Sequence, residues 1–124
     1  MATQIVIANK ESIFLDNTFF IAWADKGKNW VDAWPPDTIH YVIWNDLPGQ
    51  NEIQNKDADG NMTGNADLNA TSDAVGSTTI ADLLTWAETR KGQIEAAQTA
   101  HSNAVDAGTA TDSETWRDYD PNYS

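Results

Sequence analysis

The spacing of the apolar residues changes part-way along this chain, and a change from short β-like runs to a helical repeat calls for a sheet followed by a helix. Over residues 1–54 the apolar residues fall in short β-branched and aromatic runs, Gln4 to Ala8 (QIVIA), Ser12 to Leu15 (SIFL) and Phe19 to Ala24 (FFIAWA), broken by Asn9-Lys10 and Asp16-Asn17. Runs of this kind between turn residues predict strands of a meander. Pro35-Pro36 removes two ladder donors and marks a break. Thr38 to Trp44 (TIHYVIW) then alternates, with Ile39, Tyr41 and Ile43 on one face and His40, Val42 and Trp44 on the other. Both faces read as at least partly covered. Leu47-Pro48-Gly49-Gln50 predicts a turn, and Glu52 to Gln54 a returning antiparallel strand.

After Gln54 the composition shifts to Asp, Asn, Gly, Ala and Thr. Residues 55–78 hold only Met62, Leu68 and Val75 as large apolar side chains, which predicts a long acidic loop. Thr79 then opens a helix over 79–108: its hydroxyl is placed to cap, with Asp82 three residues on. Ile80, Leu83, Leu84, Ala87, Ile94, Ala97, His101 and Ala104 or Val105 form one stripe along it. Gly92 marks a bend or a close approach by another backbone, and Gly108 a C-terminal cap. A helix of that length runs about 43 Å, more than a small sheet covers, so part of its stripe is expected against another chain. The tail, residues 109–124, is acidic yet carries Trp116, Tyr119 and Tyr123. Such a segment is expected to order on a partner rather than on its own domain. The expected fold is α+β: an antiparallel sheet in the N-terminal half, one long amphipathic helix, and an extended C-terminal tail.

Nineteen acids against seven bases give a formal charge of −12. That charge repels phosphate backbones, so nucleic acid is not an expected partner. The chain has no cysteine, which excludes disulfides, thiolate ligands and a thiol nucleophile. No apolar run approaches the roughly 20 residues of a membrane span, and the start MATQIVIANKES has neither the basic flank nor the apolar stretch of a signal peptide. The expectation is a protein that stays where it is made.

The residues that carry chemistry are few. With two histidines and no nucleophile elbow, P-loop or HExxH motif, no catalytic residue and no cofactor is expected. His40 and His101 stand about 60 residues apart and read as partly buried or partner-facing side chains. Nineteen carboxylates offer many chance pairs, but no spacing picks out the two a glycoside hydrolase needs. Asn55 to Met62 (NKDADGNM) follows the start of a calcium-binding EF-hand loop, but position 12 is Ala66, where the bidentate acid belongs. It reads as a turn, with no metal expected.

Six tryptophans are the most unusual feature of the composition. Trp23, Trp44 and Trp86 read as core. Trp30, Trp34 and Trp116, near Gly, Pro or acidic residues, read as partner contacts, as do Tyr119 and Tyr123. The alternative from another class is a carbohydrate-binding module in which exposed tryptophans stack on host-surface sugars.

From Trp34 to Gln54 (WPPDTIHYVIWNDLPGQNEIQ) the sequence resembles small tail-associated proteins of tailed bacteriophages, including tail-fibre assembly helpers. The resemblance is carried by Trp34, Pro35, Ile39, His40, Val42, Trp44 and Asn45, then Gly49, Glu52 and Ile53, and loosely by the helix at Leu83-Leu84-Thr85-Trp86-Ala87. It departs at the doubled proline and in the N-terminal meander. The resemblance implies a non-catalytic virion component or assembly helper, made in the bacterial host cytoplasm and destined for the tail. Its implied partners are other phage structural proteins or copies of itself.

Overall fold

The computed structural model describes residues 3–28, 30, 37–45, 51–75 and 78–123. The fold is α+β. Strands β1 (Ile5–Ala8), β2 (Ser12–Leu15), β3 (Phe19–Ala22), β4 (Ile39–Trp44), β5 (Glu52–Lys56) and β6 (Met62–Asp67) form one antiparallel sheet in the order β3-β2-β1-β4-β5-β6. The two three-strand meanders meet where β1 pairs with β4. Tight turns set the first registers. Lys10, Asp16 and Asn17 adopt positive φ at the two hairpin corners, and the Asp16 carboxylate accepts the backbone N–H groups of Thr3 and Gln4.

One face of this sheet is the core. Ile5, Ile7, Ile13, Leu15, Ile21, Val42 and Trp44 are buried on it. Helix α1 (Ile80–Asp106) covers them with Ile80, Leu83, Leu84, Ala87 and Ile94, after a short pair β7 (Ala74–Val75) and β8 (Thr78–Thr79). Each such aliphatic side chain contributes about 1.5–3 kcal/mol by leaving water. Thr79 caps the helix as its hydroxyl accepts from Asp82 N–H, and Gly108 follows the last turn in the left-handed region. The expected β half, helix start and helix end therefore stand.

Three expectations are corrected. Residues 55–78 are not one loop: β5 runs to Lys56, β6 and β7 fall within the segment, and β8 begins at its end. Every residue of β6 is exposed, so no apolar alternation announced it. The strand exists because its backbone pairs with β5, Glu52 opposite Asp67 through Lys56 opposite Met62. At Gly92 the expected close approach by another backbone is not found: among the described residues nothing outside its own helix lies within 4 Å of an added Cβ.

The tail is the third correction. It does not extend away but turns back on α1 through a 3-10 turn at Trp116–Tyr119. Two ion pairs hold it. Arg90, 1% exposed, donates through Nη2 to Asp120 at 2.6 Å and through Nε to the Asp25 carbonyl at 2.8 Å. Arg117 forks onto the Asp25 carboxylate at 2.7 and 2.8 Å. Gly27, at φ 89°, lies so close that a Cβ there would meet Arg90 Nε at 2.9 Å. The expected second chain along the helix stripe is thus answered in part by the protein's own tail, with Tyr119 beside His101 at 5.4 Å between ring centres.

Candidate interaction surface

Antiparallel sheets covered on one face alternate apolar and polar residues, and β1 to β4 break that rule. Their second face carries Val6 on β1, Phe14 on β2, Phe20 on β3, and Tyr41 and Ile43 on β4. The pairings line four of these into one cross-strand row: Phe20 opposite Phe14, Phe14 opposite Val6, Val6 opposite Ile43. Phe14 and Phe20 contact each other at 5.1 Å between ring centres, yet are 38% and 55% exposed. A hollow of about 330 Å³ opens among Val6, Phe14, Asn17, Tyr41 and Ile43. The helix packs on the opposite face.

The same row continues in charge. Ile43 faces Glu52 on β5, and Glu52 faces Asp67 on β6. Two acids directly opposite on neighbouring strands repel. The Glu52 carboxylate accepts side-chain amide hydrogens from Gln54 at 2.8 Å and Asn65 at 3.3 Å. Among the described residues no Lys or Arg forms an ion pair with either acid. Lys56, the cation of β5, lies four residues from Glu52, about 13 Å along the strand and beyond the screening length of physiological salt.

The described aromatic residues expected to meet a partner lie elsewhere. Trp30 is 6% exposed and stacks in the core against Trp86 and Trp23, at 3.7 and 6.0 Å between ring centres. It belongs to the interior, and the sugar-stacking alternative loses it. Trp34 lies outside the described residues. Trp116 is half-buried against the core, edge-on to Tyr123 at 6.4 Å and capped by Arg117 at 4.7 Å. Tyr119 donates to Glu114, which holds the Glu114 carboxyl below its usual range and pushes the Tyr119 hydroxyl up. The three tail aromatics are thus occupied within the chain. Phe14, Phe20, Val6, Tyr41 and Ile43 were legible only as apolar residues alternating out of phase with the core set.

The loop with calcium-like spacing closes the β5–β6 hairpin. Asp57 Oδ1 accepts from the N–H groups of Asp59 and Asn61, both at 2.9 Å, and Gly60 supplies φ 85°. Among the described residues no three His, Asp or Glu side chains converge as a metal site. Calorimetry is expected to find no saturable calcium binding below millimolar concentration; a micromolar isotherm abolished by Asp57→Ala would show a competent loop. Among the described residues, too, no helix is long and apolar enough to cross a membrane. No protein-family model, curated protein or solved structure matches the chain.

Proposed function

We propose that this chain is a non-catalytic bacteriophage tail or tail-fibre protein, a virion component or assembly helper that acts by contact with other proteins. The observation that carries this reading is the open apolar face of the sheet. A chain with 19 acids and 7 bases has ample polar residues to cover a solvent-facing sheet, yet it sets two phenylalanines, a valine, an isoleucine and a tyrosine there. Exposed contiguous apolar surface of that kind marks interaction sites. The phage-like block adds to it, since its Ile39, Val42 and Trp44 are core residues of β4, whose reverse face carries Tyr41 and Ile43.

Mass spectrometry of purified particles, and of tail and fibre subassemblies isolated from infected cells, tests the reading. The chain is expected in at least one of them at a fixed ratio to a tail or fibre protein. Its absence from both would sink the proposal.

A further inference from the structure

We infer that the outer face of the sheet receives a protein whose surface pairs an apolar patch about 14 Å across with Lys or Arg beside it, the cations meeting Glu52 and Asp67. The inference rests on the contact reading above and adds the chemistry of the partner.

The row Phe20, Phe14, Val6, Ile43, Glu52, Asp67 crosses six strands. At about 4.8 Å between strands, the apolar part spans about 14 Å and the acids lie in the next 10 Å. An apolar surface laid over the first four positions brings its own flank onto the last two. Anything neutral or acidic at that flank would desolvate two like charges that already oppose each other, without compensation. Lysine or arginine would relieve the repulsion and donate charge-assisted hydrogen bonds to carboxylates that form no ion pair with a Lys or Arg among the described residues.

A second copy does not meet this requirement. A twofold contact presents the same patch from both sides. Depending on alignment, it sets acids against acids, sets acids against the phenylalanine row, or leaves the acids beyond the contact with no cation opposite, between molecules that each carry −12. The described surface therefore favours a different, basic partner, and the long-range field of this chain would speed its approach.

The test uses the full chain, labelled with ¹⁵N, and three probes: a peptide with a Leu/Val half followed by a Lys half, the same peptide with Glu in place of Lys, and polylysine. The Leu/Val-Lys peptide is expected to shift the amide resonances of the Phe20 to Asp67 row. The double variant Glu52→Gln with Asp67→Asn should weaken that binding roughly tenfold, and so should Phe20→Thr, with dispersed spectra confirming that both variants fold. Equal binding of the Glu peptide or of polylysine, shifts centred on another surface, no shift at millimolar peptide, or self-association through this face would each overturn the inference. Incorporation into particles separates the two levels. If Phe20→Thr is lost from the particle while the charge-neutralised variant is retained, the contact reading stands and the basic partner falls. If both variants incorporate like the natural chain, the contact reading through this face falls as well.

Discussion

Asp120→Ala is expected to lower the stability of the isolated chain by about 3–5 kcal/mol, because it strands the Arg90 guanidinium without its carboxylate. Arg90 and Asp120 have side chains 1% and 0% exposed, and their bond is 2.6 Å. For a domain held by roughly 5–15 kcal/mol in total, the loss is a large share and corresponds to a fall in Tm on the order of 10–20 °C. Deleting residues 110–124 removes the same carboxylate together with the Arg117 fork on Asp25, so it should cost at least as much. The double variant Arg90→Met with Asp120→Ala should recover part of the loss, since no buried charge is left unpaired, while the Asp25 carbonyl loses its Arg90 donor. Urea and thermal unfolding of the three variants check this; a tail deletion that melts within a few degrees of the full chain would mean that the tail is held only loosely. Acid has the same target. Burial raises the Asp120 carboxyl, but the hydrogen bond from Arg90, the Asn122 N–H and the Arg90 charge together hold it below its ordinary value. A depressed folded-state pKa contributes stability that is complete above the unfolded value near 4 and is lost as pH falls through the folded one. Stability from this pair should therefore be flat from pH 7 to about 5 and decline below about 4, and Asp120→Ala should flatten that decline.

What could be read from the sequence follows from where each residue's partner stands. The sheet-then-helix order was legible because apolar spacing is local: Ile5 and Ile7, or Ile80, Leu83, Leu84 and Ala87, declare their faces within a few residues. The Thr79 cap was legible for the same reason, its donor being three residues away. Strand β6 was not, because its stability lies in backbone pairing with β5 while its side chains carry no pattern. The tail was misread because its anchors are charged and distant. Asp25 meets Arg117 across 92 residues, and Arg90 meets Asp120 across 30. Each of these four residues alone reads as solvated surface. The outer sheet face was half visible: Phe14 and Phe20 alternate with the core residues of their strands, but their alignment with Val6, Ile43 and the acids exists only once six strands are in register.

Trp30→Ala is the second large effect, and it separates an interior residue from a partner contact. The spacing around Trp30, next to Asn29 and following Lys26-Gly27-Lys28, suits an exposed anchor, whereas its side chain is 6% exposed and packs in the core cluster with Leu83, Leu84 and Trp44. Its ring lies against Trp86 of the helix and edge-on to Trp23 at the end of the sheet. It therefore joins the two layers, and edge-to-face contacts of this kind add to the area term. Truncation to alanine should cost about 3–5 kcal/mol, against less than about 1 kcal/mol for Phe20→Thr, whose ring is already 55% exposed and whose replacement suits a strand. Urea midpoints at unchanged m measure both. If instead Trp30→Ala unfolds like the natural chain and Phe20→Thr does not, then Trp30 is the contact and the phenylalanine face is structural, the reverse of the assignment made from burial.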